Sequence, residues 1–227
     1  MKTAICISGI GRSLSHVFDN LKYNLIDCWD DRDVYYVLGK SEYSDRSIKL
    51  FEKISNCNLK LYDQNDIDIG NITMNYLYTT KDTKPTPQTI AKFMDKRVEL
   101  GKLLESTNKK YDRVIVSRDD VLYSKPVSDT VSTLNMEKMN IPNWGHYLGG
   151  YNDRFSISNL ENQKIYLNAW KHFKEVKDFH VESFYKYYLN KYLGKNKMKT
   201  FYIEITRVRP NGIVKDESFN SQPICNL

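Results

Sequence analysis

Apolar positions along this chain follow two alternating rhythms, short unbroken runs and helical spacings. Residues 3–8 form an apolar run, and Gly9-Ile10-Gly11-Arg12-Ser13 turns the chain with Ser13 as the expected helix cap. Leu14, Val17, Phe18, Leu21, Leu25, Cys28 and Trp29 then fall on one helical face. Residues 34–38 predict a second buried strand, Ile48, Phe51 and Ile54 a second helix, and residues 59–62 a third, shorter strand. This alternation predicts a parallel sheet with right-handed crossovers. Residues 63–87 break the rhythm: Asp66, Asp68, Gly70, Asn71, Pro85 and Pro87 mark an irregular excursion. A long helix is expected from there to about Thr107, burying Ile90, Phe93, Met94, Val98, Leu103 and Leu104.

That helix feeds Val114-Ile115-Val116, a β-branched run that stops at Ser117-Arg118-Asp119-Asp120 before Val121-Leu122-Tyr123 resumes. The run reads as a strand buried on both faces, with the charges at its carboxyl end. In open α/β sheets that end is where ligands bind. Two carboxylates beside a guanidinium are poor core material; they suit a divalent cation and a phosphate. The topology also brings the start of the long helix to the same edge, so Gln88 and Lys92 are expected near the site.

The second half is less regular. Trp144, Gly145, His146, Gly149, Gly150, Asn152, Asp153 and Arg154 precede a strand at residues 155–158. Helices are expected near residues 160–173 and 181–193, and a strand near 200–205 leads to Thr206-Arg207-Val208-Arg209-Pro210. No internal repeat is visible. The pattern predicts a single α/β domain with a regular nucleotide-binding half and an irregular substrate half.

Composition narrows the function. The 227 residues can bury a full core without disulfides. The net charge of +6 is concentrated late, residues 163–212 carrying eleven Lys and Arg against four acids. Without an Arg-rich tract or helix-turn-helix pattern, this reads as a diffuse basic face and not a nucleic-acid reader. Cys6, Cys28, Cys57 and Cys225 form no CxxC pair, and no apolar run reaches the length of a membrane helix. A soluble protein of a reducing compartment is expected. The 17 tyrosines read mainly as a compositional bias.

The turn Ser8-Gly9-Ile10-Gly11-Arg12-Ser13 lets a phosphate approach the backbone at a helix start. It lacks the Gly-Lys-Ser/Thr ending of a P-loop and is equally a plain tight turn. Ser117 to Asp120 resembles the metal site of GT-A glycosyltransferases, in which an apolar strand ends in Asp-x-Asp. Laid on this chain, the second Asp falls on Asp120, the middle position on Asp119 and the first Asp on Arg118. The strand–helix start and the Gly149–Asp153 segment fit the same superfamily, over roughly residues 2–157. The resemblance implies one GT-A-like domain over residues 1–227. A central, mostly parallel sheet would be flanked by helices, with a Rossmann-like nucleotide-sugar-binding half (1–123) and an acceptor half (124–227). It implies transfer of a sugar from a nucleoside-diphosphate sugar to a glycan or other hydroxyl acceptor, in the cytoplasm, or the host's cytoplasm for members carried by large DNA viruses.

On that resemblance Mn²⁺ or Mg²⁺ would sit at Asp120 with Asp119, Arg118 partly replacing it as counter-charge. Ser8, Gly9, Gly11, Arg12, Gln88, Lys92, Arg118 and Asp119 would bind the donor. Asp153 is the first candidate for general base and Glu182 the reserve. His146, Gly150, Asn152, Arg207 and Arg209 would meet the acceptor or diphosphate. Two rivals remain open: a sulfotransferase-like enzyme holding a phosphosulfate nucleotide near Arg12, and a nucleotide-sugar or carbohydrate-binding module without catalysis.

Overall fold

A computed structural model describes residues 1–70, 73–74, 86–176, 178–212 and 214–216. Much of the expected excursion, including Asn71 and Pro85, lies outside the described residues, as does Cys225. In chain order the elements are β1 (Thr3–Gly9), α1 (Leu14–Leu21), β2 (Arg32–Gly39), α2 (Ser44–Phe51), β3 (Cys57–Tyr62) and β4 (Thr73–Met74). Then come α3 (Pro87–Glu105), β5 (Arg113–Arg118), β6 (Val121–Tyr123), α4 (Val127–Val131), β7 (Met139–Pro142) and β8 (Phe155–Ser158). The last are α5 (Leu160–Leu167), β9 (Asp178–Phe179), α6 (Val181–Tyr192), β10 (Met198–Phe201), β11 (Ile205–Val208) and β12 (Val214–Asp216).

Seven strands form a central sheet in the order β10-β7-β8-β5-β1-β2-β3. From β3 through β2 and β1 to β5 all neighbours are parallel, the Rossmann-like half; β8 runs antiparallel to β5 and β7. The chain winds outward from β1 to β3 and then returns to the opposite side of β1. That reversal makes a switch point between the carboxyl ends of β1 and β5, where α/β sheets take ligands.

Strand alternation divides the core into two layers. Ile5, Ile7, Tyr36 and Ile115 pack with α1 and Phe51 on one face; Ala4, Cys6, Tyr35, Val114 and Val116 pack under α3 on the other. The start of α3 is fixed locally, with Pro87 in the first turn and Thr86 Oγ1 accepting from the Thr89 N–H at 3.1 Å.

After Arg118 the chain leaves the central sheet. Asp119 and Asp120 form a bend, and β6 joins a second sheet of order β12-β11-β6, with the Val208 N–H bonded to the Asp120 carbonyl at 2.9 Å. This hand-over brings β11 beside the end of β5.

Several expectations need correction. The helix expected over residues 160–173 stops at Leu167, and residues 169–175 wind as a 3₁₀ turn with Trp170 stacked on Phe173. The strand expected at 200–205 is two strands in different sheets, β10 and β11. Ser13 precedes α1 but makes no capping bond through its side chain. The tyrosines are more than a bias: many are buried, and their hydroxyls bond buried charges, as Tyr111 donates to Asp33 at 2.7 Å beside the Lys109 ammonium at 3.0 Å.

Candidate active site

Asp119 and Asp120 are adjacent but serve opposite faces of the sheet. Asp119 turns toward the β1–α1 loop, where its Oδ2 accepts from the Gly11 N–H and the Tyr36 hydroxyl, both at 2.8 Å. Its carboxylate fills the space that a side chain at Gly9 would need, 1.8–1.9 Å from the position of a Cβ. Gly11 holds a φ of +73°, which favours glycine. Burial and the neighbouring charge of Asp120 push the Asp119 carboxyl up to about 6, against those two hydrogen bonds. Asp119 therefore ties the first loop to the end of β5.

Asp120 turns toward α3. Arg118, two residues back at the end of β5, grips it through Nε to Oδ1 at 2.7 Å and Nη2 to Oδ2 at 2.8 Å. Arg207, delivered by β11, donates its Nε–H to Oδ2 at 2.9 Å. Burial alone would raise the Asp120 pKa, but the two guanidiniums hold it far below the usual carboxylate range. The Arg118 guanidinium also lies over the Phe93 ring of α3, 5.0 Å from its centre.

A second acidic station adjoins the first. Arg154 Nη1 donates to Asp153 Oδ1 at 2.7 Å and to Glu182 Oε1 at 3.1 Å, linking the start of β8 to the first turn of α6. Arg97, fully buried on α3, donates to the Tyr185 hydroxyl at 2.7 Å, the Tyr166 hydroxyl at 3.2 Å and the Asp153 carbonyl. The charges of Arg118 and Arg207 act on Asp153 as well, so both stations form one cluster. Their carboxyls are driven apart. Burial favours the neutral acid at Asp153, but Arg154, Arg97, Arg118 and Arg207 outweigh it and keep Asp153 ionised. Glu182 is raised to about 7, by burial first and then by the charge of Asp153. Of the two, Glu182 has the affinity for protons that a general base near neutral pH needs.

Other expected residues hold the framework around this cluster. Ser8 is buried at the end of β1, in register with Arg118, and its hydroxyl has no hydrogen-bond partner among the described residues. Gln88 is engaged by the backbone of Ile67 at 2.8 and 3.0 Å, and Lys92 by Asp66 at 2.8 Å, so both fasten the excursion. The His146 ring lies between the carbonyls of Gly150 (2.9 Å from Nδ1) and Pro142 (2.8 Å from Nε2), which hold it within its own loop. Asn152 is fully buried in a turn, donating to the Trp144 carbonyl at 2.7 Å and accepting from the Arg154 N–H at 2.8 Å. Gly150 lies against the Glu182 backbone. Arg12 is half-buried in the first loop, and Arg209 lies one residue past β11, outside the regular extension that would have aligned it with Arg207.

Lys96 was not apparent from the sequence. It is 3% exposed, lies over the Tyr62 ring at 5.6 Å, and makes no hydrogen bond or ion pair among the described residues. Burial lowers its pKa to about 8, partly offset by the charge of Asp119, while Arg118 lowers it further. A lysine within a predominantly apolar helix face was the available signal.

The donor atoms do not fit a divalent cation. Mg²⁺ and Mn²⁺ need several converging oxygens. Here the Asp120 oxygens accept three N–H bonds from two guanidiniums, and Asp119 points to the other face. Among the described residues no group of three or more His, Cys, Asp or Glu side chains is arranged to hold a metal ion.

No protein-family model matches the chain, and no curated protein matches its sequence. Solved structures do. The galactosyltransferase LgtC, in complex with donor and acceptor sugar analogues, superimposes with a TM-score of 0.51 at 13% identity, over 88% of this chain and 73% of that one. An active-site mutant of LgtC gives 0.52 at 13% identity, over 88% and 72%. The apo glycosyltransferase GlyE of Streptococcus pneumoniae gives 0.51 at 13% identity, over 88% of this chain but only 45% of GlyE. The fold is that of a GT-A glycosyltransferase. The ends of β1 and β5, with Ser8, Gly9, Gly11 and Arg118–Asp120, lie at the switch-point edge of the central sheet. No described helix is long and apolar enough to cross a membrane.

Proposed function

We propose that this chain transfers a glycosyl group from a nucleoside-diphosphate sugar to a hydroxyl acceptor. The observation that carries the reading is the clustering of Arg118, Asp120, Arg207, Asp153 and Glu182 at the switch-point edge of a GT-A fold. The nucleoside would lie along the β1–α1 loop, beside Gly9 and Gly11. The guanidiniums of Arg118 and Arg207, with the Lys96 ammonium, would face the diphosphate, stabilising negative charge as the leaving group departs.

Glu182 would take the proton of the attacking acceptor hydroxyl if the anomeric centre inverts, with Asp153 and Arg154 holding its position. This reverses the order of the two candidates, because Asp153 is already committed to guanidiniums. A reducing, cytoplasmic compartment would suit Cys6, Cys28 and Cys57, none of which forms a disulfide among the described residues. The test is a panel of UDP-, GDP-, dTDP-, CDP- and ADP-sugars scored by calorimetry and by release of the free nucleotide. Lack of binding by every member would end the donor reading.

The committed state of Asp153 supports a second reading, a module that binds the donor without turning it over. Donor hydrolysis or transfer above background, lost in Glu182→Gln, excludes it.

A further inference from the structure

We propose that guanidiniums, and not a divalent cation, supply the counter-charge for the diphosphate at this edge. Arg118 and Arg207 do so, Asp120 is the anchor that orients them, and nucleoside diphosphates bind without metal. This rests on the reading of the edge as a donor site.

Three observations carry it. Both oxygens of Asp120 are spent: Arg118 grips the carboxylate at 2.7 and 2.8 Å, and Arg207 donates to it at 2.9 Å. A cation there would have to displace those hydrogen bonds and then sit beside two positive charges. Second, the trio of Arg118, Asp120 and Arg207 is net positive, the sign that attracts a diphosphate and repels a metal ion. Third, Arg118 is presented, not merely buried. Its guanidinium is backed by the Phe93 ring, it has five N–H donors, and its Nη1 makes no hydrogen bond among the described residues. Planar guanidiniums match phosphate oxygens two at a time. The two arginines come from separate sheets, β5 of the central one and β11 of the second, so they can hold a diphosphate from two sides.

The experiment is calorimetric titration of the full chain with UDP, GDP, dTDP, CDP and ADP, once in EDTA and once in excess MnCl₂. Manganese paramagnetic resonance on the same samples counts bound ions. The expected result is at least one nucleoside diphosphate whose affinity changes less than about threefold between the two conditions, with no stoichiometric Mn²⁺ signal. A gain of about tenfold or more on adding Mn²⁺, with one bound ion, overturns the proposal and leaves the donor reading standing. Binding of no nucleotide in either condition defeats the donor reading itself, and the proposal with it. Arg118→Ala and Arg207→Ala should each weaken binding about tenfold or more in EDTA. Unchanged affinity in both folded variants would also overturn it. Should either variant fail to fold, the comparison on the unaltered protein still decides.

Discussion

A methyl group at Gly9 would lie 1.8–1.9 Å from the Asp119 carboxylate, so that glycine exists to admit an acid from a distant strand. Asp120 shows the same dependence in reverse, since its charge is what makes two buried arginines tolerable. Replacing it with Asn keeps the shape but leaves the guanidiniums short of an anion. Asp120→Asn should therefore destabilise the fold by about 1–3 kcal/mol in urea denaturation, the cost of buried polar groups left unsatisfied. An unchanged midpoint would mean that the trio is not held by that charge. Glu182 carries a pH signature. Its folded pKa of about 7 lies above the ordinary glutamate value of 4.5, so between those pH values the folded state holds the extra proton. Stability from this group is therefore lost as pH rises from about 4.5 to 7. Glu182→Gln should remove that slope and raise the melting temperature at pH 8, while abolishing turnover. A more stable but inactive protein is the expected outcome; a variant that stays active shows that another group takes the proton.

At the scale of elements, the acidic cluster depends on how closely α6 approaches the loop before β8. Gly150 permits this contact: a Cβ there would fall 2.1–2.4 Å from the backbone of Glu182 and Ser183. The Tyr151 N–H then bonds the Glu182 carbonyl at 2.8 Å, which fixes the first turn of α6. Gly150→Ala must push α6 away, because backbone cannot yield as a flexible side chain can. It should cost about 2–4 kcal/mol of stability and reduce turnover more than donor affinity, since it moves Glu182 and not Arg118. Equal losses in both, measured by calorimetry and initial rates, would show that α6 also shapes the donor pocket. Arg97 is the counterpart on α3, where two tyrosine hydroxyls and the Asp153 carbonyl hold the Nη groups of a fully buried guanidinium, while its Nε has no hydrogen-bond partner among the described residues.

Across the whole molecule, the site lies at a junction between two sheets. β5 ends in the central sheet, the bend at Asp119 and Asp120 hands the chain over, and β11 returns Arg207 from the second sheet. A ligand held from both sides should stabilise the folded protein as a unit. At a free concentration a hundred times its dissociation constant, a bound nucleoside diphosphate contributes about 2.7 kcal/mol. For a chain of this size that is a rise of roughly 5–11 °C in the melting temperature. Thermal unfolding that splits into two transitions, with only one shifted by nucleotide, would show that the sheets do not unfold together.

The alternation of apolar runs and helical spacings was enough to specify the parallel half of the sheet, because burial on both faces leaves a local signature in β1, β2 and β5. The same local logic located the charged strand end at residues 118–120 and the glycines of the first loop. The assignment of partners was decided only in three dimensions. Nothing near Asp120 in the sequence announces Arg207, 87 residues away. Nothing near Glu182 announces Asp153, whose charge reinforces burial in raising its pKa. Lys92 and Lys96 are one helical turn apart, yet one pairs with Asp66 at the surface and the other is buried beneath the site. Local pattern determines which residues can be buried, because it acts through backbone geometry and periodicity. Whether a buried charge meets a cation, an acid or a ligand depends on crossovers that bring distant strands to one edge, and those are properties of the tertiary fold.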